Sequence, residues 1–229
     1  MKRLLLALLL MFSMSCSGKP ASIPAHSAFF TIGIRTFHIT RVPSYNVAVT
    51  NAMGSGVSIG SDGGSTYVLT AAHLCDAATR TKTSYSYPPV LLRSVGKPRP
   101  YMGIPVKSDK ASDLCLLKVP GLVLGGVNLD TRPPRYREKV YMHGSPYGYY
   151  QPGVVLPIEG RYAGTFRNRS VYTTPCASGC SGGPILAQNG RLVGIYVSVH
   201  RGFNRIGFSP TYEKVRTFVR EAKNQFNIR

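Results

Sequence analysis

Acidic residues are scarce in this chain. Only 9 Asp and Glu stand against 28 Lys and Arg in 229 residues, a formal charge of +19. An imbalance of that size predicts attraction to phosphate, anionic lipid or acidic protein surfaces. The basic residues are scattered, however, in loose groups such as Arg80 and Lys82, Arg93 to Arg99, Arg132 to Lys139, and Arg167 and Arg169. Two readings therefore stand: contact with an anionic envelope or nucleic acid, and a plain solubilising surface. Internal repeats and low-complexity segments are absent. Hydrophobic residues make up 43% and charged residues 16%, so a disordered chain is excluded and a packed core is feasible. The length suits one all-β domain of roughly 200 to 250 residues.

Long apolar runs are missing too. The one at the start, Leu4 to Phe12, is too short for a permanent membrane helix. With Lys2 and Arg3 before it and the small residues Ser13 and Ser15 after it, residues 1–15 have the form of a secretory signal. Their removal leaves 26 basic residues against 9 acidic, or +17. Cys16, directly after Ser15, resembles the lipid-modified cysteine of bacterial lipoproteins, although Ser13 stands where that family usually has Leu. Lipidation at Cys16 and plain secretion both remain open. Residues 16–28 are expected to form a tether.

From Phe29 onward, short β-rich runs are divided by Gly, Pro and Asn. Strands are expected over Phe30 to Thr40, Tyr45 to Thr50, Gly56 to Gly60, Tyr67 to Ala71, Val90 to Val95 and Leu114 to Val119. Asp62-Gly-Gly64 is a hairpin signal. A proline-rich connection at Asp130 to Lys139 reads as the crossing between two halves. Further strands are expected over Lys139 to His143, Gly153 to Ile158, Gly160 to Phe166, Val171 to Thr174, Pro184 to Ala187, Arg191 to Val199 and Arg205 to Ser209. Gln188-Asn-Gly-Arg191 reads as a two-residue hairpin turn. Only the end is clearly helical, with Ser209 as cap, Pro210 at the first position, and Tyr212, Val215, Val219, Ala222 and Phe226 on one face.

The chemistry concentrates at Thr174-Pro-Cys-Ala-Ser-Gly-Cys-Ser-Gly-Gly-Pro184, where glycines flank Ser181. A serine needs a base and an orienting carboxylate to act as a nucleophile. Thr70-Ala-Ala-His73 ends one apolar run and Ser112-Asp113-Leu-Cys-Leu-Leu-Lys-Val119 opens another, which gives the order His73, Asp113, Ser181. The expected roles are His73 as general base and then acid, Asp113 as the group that orients its ring, and Ser181 as nucleophile. The N–H groups of Gly179 and Ser181 are expected to bind the oxyanion. Asp76 and Asp109 are rival carboxylates, but neither opens an apolar strand. His38, His143 and His200 lack such a context. The Gly179-x-Ser181-x-Gly183 pattern also fits an α/β-hydrolase elbow. That fold needs Asp and His after the serine, and only His200, with no Asp, follows.

These three motifs resemble the trypsin-like serine proteases, and especially the bacterial Deg (high-temperature-requirement) branch. Gly54-Ser-Gly-Val57, Val140-Tyr-Met-His-Gly-Ser-Pro-Tyr-Gly148 and Ile206-Gly-Phe-Ser-Pro210 extend the likeness over residues 53 to 222. The resemblance implies an all-β fold of two six-stranded antiparallel Greek-key β-barrels, chymotrypsin-like, with a C-terminal α-helix. The first barrel would span about 29–119, the second about 136–209 and the helix about 210–225, within one protease domain over 29–229. Trypsin has Asp immediately before the nucleophile; Cys180 stands here, so activation through a buried N-terminal ion pair is not expected. Deg proteases usually add PDZ domains, whereas this chain is expected to be a bare protease domain.

The resemblance also places a specificity pocket at Pro175 and Cys176, with the strands near Val197, Ser198 and Val199 and near Ile206 to Phe208. The acids after Ser181 are Glu213 and Glu221, both on the final helix, so a Lys or Arg in that pocket would lack a partner. Small or medium apolar residues are expected before the scissile bond, with an acidic residue as the rival if His200 or Arg201 reaches the pocket. Cys75 with Cys115 and Cys176 with Cys180 could pair, or all four could be buried thiols. No cofactor or metal is expected, since zinc-type paired spacing is lacking. The reading is a secreted or lipid-anchored serine endopeptidase acting on protein or peptide. Its rival is a protease-fold binding protein that uses its basic surface.

Overall fold

The computed structural model describes residues 28–42, 44–80, 90–94, 99–148, 156–200 and 202–229. The expectations for residues 1–15, for the tether as far as residue 27 with Cys16, for the strand end at Val95, for the start of the strand near Gly153, and for Arg201 fall outside these residues; Ala28, expected in the tether, is instead buried in the core.

The first half is a closed antiparallel barrel built from β1 (Phe29–Val42), β2 (Ser44–Ser61), β3 (Ser65–Thr70), β4 (Val90–Ser94), β5 (Tyr101–Asp109) and β6 (Leu114–Pro120). The strands run in the order β1-β2-β3-β6-β5-β4, and β4 returns to β1 through Phe30↔Ser94 to Ile34↔Val90. The Asp62-Gly-Gly64 hairpin forms as its sequence directs. The Asp62 carboxylate accepts the N–H groups of Gly64 and Ser65 at 2.9 and 2.7 Å, and Gly63 takes φ 93°, which a side chain would resist. β3 is buried along its whole length, because one face meets the barrel interior and another meets the C-terminal helix α2 (Tyr212–Phe226). Val215, Phe218, Val219 and Ala222 of that helix share a core with Tyr67, Leu69 and Leu116, and Phe226 stacks on Tyr67.

The second half is a seven-stranded sheet of β7 (Lys139–Gly144), β8 (Leu156–Phe166), β9 (Arg169–Tyr172), β10 (Pro184–Ala187), β11 (Leu192–Ile195), β12 (Ser198–His200) and β13 (Phe203–Pro210). Its order is β11-β10-β7-β8-β9-β13-β12. Val140, Met142, Tyr172, Ile185 and Tyr196 fill its core. The architecture is therefore the chymotrypsin-like one, with a sheet in place of a second closed barrel. β11 and β12 are consecutive in sequence yet lie at opposite ends of the sheet, and Tyr196 between them pairs with the loop before β10, while Val197 N–H donates to Phe208 O of β13. Tyr196 donates to Gly183 O at 2.8 Å and accepts from Gly182 N–H at 2.7 Å, which cuts the strand anticipated over 191–199 in two.

Four other details differ from the sequence expectations. A helix α1 (Ala72–Arg80) follows β3 directly and buries Leu74 and Cys75. β5 lacks clean alternation and contains Pro105, which it accommodates through a register shift between Pro105 and Lys107. The turn after β10 encloses three residues, not two, because Ala187 N–H donates to Arg191 O and Gly190 sits at φ 74°. At α2 the cap position falls on Thr211, not Ser209. The Ser209 hydroxyl is committed elsewhere, accepting from Ile195 N–H and donating to Pro210 O.

Candidate active site

His73 is the second residue of α1, three residues past the end of β3. Asp113 stands just before β6, in a turn where Asp109 accepts the N–H groups of Ala111 and Ser112 at 3.0 and 3.1 Å. That turn forces Asp113 to φ 54°, a left-handed conformation that is uncommon for any residue with a side chain. The result is a short reach from β6 to α1. Asp113 O accepts Ala72 N–H at 3.1 Å. One carboxylate oxygen accepts His73 N–H at 2.9 Å, and the ring Nδ1 meets the two oxygens at 2.9 and 3.1 Å. A neutral ring so placed carries its proton on Nδ1 and leaves Nε2 as an acceptor. The Cys75–Cys115 disulfide ties the same two elements two residues further on. The rival carboxylates have other work: Asp109 closes its turn, and Asp76 pairs with Lys110 at 3.4 Å.

Ser181 lies in the loop between β9 and β10. Its carbonyl accepts Ser55 N–H at 2.7 Å, and the Ser55 hydroxyl donates to Gly179 O at 2.8 Å. The same hydroxyl accepts Ser145 N–H at 3.0 Å, and Thr70 donates to Ser55 O at 2.8 Å. Ser55, 2% exposed, is thus the bracket between the two halves, a role that its place in the Gly54-Ser-Gly-Val57 motif did not reveal. Gly182, at φ 84°, presses so close to Ser55 O and Thr70 Oγ1 that a Cβ there would collide with both. The loop is therefore docked at the end of β3, beside α1. Ser178 O accepts Tyr147 N–H at 2.6 Å and Gly179 takes φ 100°. Among the described residues, the N–H groups of Gly179 and Ser181 have no acceptor. The Ser181 hydroxyl points to Val197 O at 3.5 Å and makes no hydrogen bond to His73. Nucleophile–base contacts of this kind are often long before substrate binds.

A cavity of about 450 Å³ adjoins this loop, walled by Tyr147, Cys176, Ala177, Ser178, Val199 and Phe203, with His200 also in its lining. No carboxylate is among its lining residues. Of the residues expected to build the specificity pocket, Cys176 and Val199 line it. Pro175 is exposed, and Val197 and Ser198 lie toward the nucleophile and β12. Cys176 and Cys180 bring their sulfurs together across the loop. His143 stacks on Phe29 with ring centroids 4.6 Å apart, a packing role. Among the described residues, no group of three or more His, Cys, Asp or Glu is placed to hold a metal ion.

A closed antiparallel barrel joined to an antiparallel sheet is the chymotrypsin-like architecture, and here it carries a His–Asp pair on one half and a glycine-bracketed serine on the other. Residues 54–195 match the trypsin-like peptidase domain, and the chain belongs to that family. The chain is 29% identical over 181 residues to the magnetosome formation protease MamE of Magnetospirillum gryphiswaldense, covering 73% of this chain but 22% of that protein. It also superposes on a serine endoprotease from Yersinia pestis with TM-score 0.63 at 22% identity, over 86% of this chain and 63% of that one. A protease from M. tuberculosis in its active form gives TM-score 0.64 at 18% identity, over 86% and 87% of the two chains. At such identities the two structures speak for the fold alone.

Proposed function

We propose that the protein is a serine endopeptidase in which His73 removes the Ser181 proton, Ser181 attacks the scissile carbonyl, and an acyl-enzyme forms and is hydrolysed. His73 delivers that proton to the leaving amine as the acyl-enzyme forms, then takes a proton from the attacking water and returns it to Ser181 as the acyl-enzyme is hydrolysed, while Asp113 holds the ring and stabilises the imidazolium. The carboxylate of Asp113 on both the backbone and the Nδ1 of His73 carries this reading, because it leaves Nε2 as the one ring nitrogen able to take a proton. The unpaired N–H groups of Gly179 and Ser181 supply oxyanion donors, each often worth roughly 3 kcal/mol.

The cavity beside the loop would take the side chain before the scissile bond. Its apolar walls and lack of a carboxylate favour Ala, Val or Leu over Lys or Arg. His200 in its lining makes an acidic residue the competing occupant. The charged start and apolar run of residues 1–15 support export, with the enzyme held by a lipid on Cys16 or released. Mass spectrometry of the mature N-terminus tells these two apart.

The test is digestion of an unfolded protein and of a peptide library by the purified enzyme and its Ser181→Ala variant. Cleavage after small apolar residues by the parent and none by the folded variant is the expected result. Equal cleavage by both, or predominant cleavage after Lys or Arg, would overturn the assignment of nucleophile or pocket.

A further inference from the structure

A second cavity, of about 280 Å³, has Asp113 and Val197 in its wall together with Arg167, Asn168, Arg169 and Lys214. Its charge is one-sided. The carboxylate of Asp113 is occupied by His73, and Lys214 is partly answered by Asp109, whose carboxyl it helps to hold below the usual carboxylate range after the larger influence of Ser112. Arg167 and Arg169 lie within two residues of each other across the β8–β9 turn. Arg167 at φ 47° and Asn168 at φ 59° give that turn two left-handed residues, the tight form that matches the twist of its strands. Arg167 stands over the exposed Phe166 ring, and no ion pair joins either arginine to a carboxylate among the described residues.

The position of Arg169 relates this cation pair to the reaction. Its guanidinium donates to Ser198 Oγ at 3.4 Å, and Ser198 opens β12, the last strand of the sheet, whose outer edge pairs with no other strand among the described residues. Just before it, Val197 O stands 3.5 Å from the Ser181 hydroxyl. A peptide added antiparallel to that edge, with its scissile carbonyl at Ser181, sets the residue before the bond beside Val197. The second residue before the bond then falls opposite Ser198. Side chains alternate along a strand, so the second and fourth residues share the face of Ser198, and with it Arg169, while the first and third point away. Directly opposed and diagonal neighbours on one face lie about 5 and 7–8 Å apart, within reach of an arginine.

Resting on the peptidase reading above, we propose that Arg167 and Arg169 form an acid-accepting subsite, so that preferred substrates carry Asp or Glu at the second or fourth residue before the scissile bond. The net charge of +19 adds long-range attraction for such peptides, which salt screens. The rival is that both arginines are solvated surface charge with no bearing on substrate choice.

The experiment takes one good peptide substrate and replaces each of the four residues before the bond in turn by Asp, Asn or Lys. kcat/KM is measured at low and at about 0.15 M salt. Asp should exceed Asn by about threefold or more at the second or fourth position, with no such gain at the first and third, and the excess should shrink with salt. Arg169→Glu should reverse the order at the sensitive position, favouring Lys, a gain of function that misfolding cannot produce. Equal rates for Asp and Asn at all four positions, or an acid preference that survives Arg167→Glu with Arg169→Glu, would overturn the subsite. If peptides are cut and Ser181 takes a fluorophosphonate without any such preference, the subsite alone falls. If nothing is cut or labelled, the peptidase reading falls and the subsite with it.

Discussion

Asp113 grips His73 at two levels, accepting the backbone N–H at 2.9 Å through the oxygen that also faces ring Nδ1 at 3.1 Å, with its other oxygen 2.9 Å from Nδ1. The backbone bond ties the start of the helix to Asp113; the ring contacts fix which nitrogen of the neutral imidazole carries the proton. Asp113→Asn keeps the shape but can offer its NH₂ to Nδ1, which favours the wrong tautomer. The variant is expected to fold and to lose on the order of 10⁴ in hydrolysis rate. Thermal denaturation together with kcat/KM checks both halves of that statement, and near-normal turnover would remove Asp113 from the mechanism.

Ser55→Ala tests the bracket between the two halves. It removes the donor to Gly179 O and the acceptor of Ser145 N–H in a site that is 2% exposed. Stability should fall by about 1–3 kcal/mol. The rate should fall more than substrate affinity, because the peptide next to the Gly179 N–H loses its anchor and the loop holds that donor less firmly. A loss of affinity with unchanged kcat would show that Ser55 only supports packing.

Acid should loosen the Asp62 hairpin. Hydrogen bonds from Gly64 N–H, then from Tyr67, with Ser65 N–H and Lys118 adding to them, hold the Asp62 carboxyl well below its usual range against a smaller opposing cost of desolvation. A depressed folded-state value means that the stabilisation is fully present above about pH 4, the unfolded value, and drains away as pH falls below it. Melting temperature should therefore drop on acidification below about pH 4. Asp62→Asn should lower it at pH 7 and flatten part of that slope. An unchanged slope in the variant would show that other carboxyls dominate the acid response.

Much of the site was legible because each chemical residue sits where an element begins or ends. His73 closes a β-run, Asp113 opens one, and Ser181 lies among glycines whose positive φ values the loop uses. Ser55 was not legible, since its importance comes from contacts 90 and 124 residues away and not from any local pattern. Helix α1 was hidden because it is only nine residues long and is separated from a strand by a single residue, with Leu74 and Cys75 buried against the barrel and Cys75 linked to Cys115. β5 was hidden by Pro105 and by a face that is partly exposed on both sides. The division of the run over 191–199 had no local cause at all, because it is imposed by the backbone of Gly182 and Gly183.

The central claim is that Ser181 is a nucleophile activated by His73. Reaction of the folded protein with a fluorophosphonate, followed by mass spectrometry of the digested adduct, addresses it most directly. The account predicts a single phosphonyl group on Ser181, slowed by orders of magnitude in His73→Ala and absent in Ser181→Ala. A folded protein that takes no label, or takes it on another residue at an undiminished rate in Ser181→Ala, would contradict it.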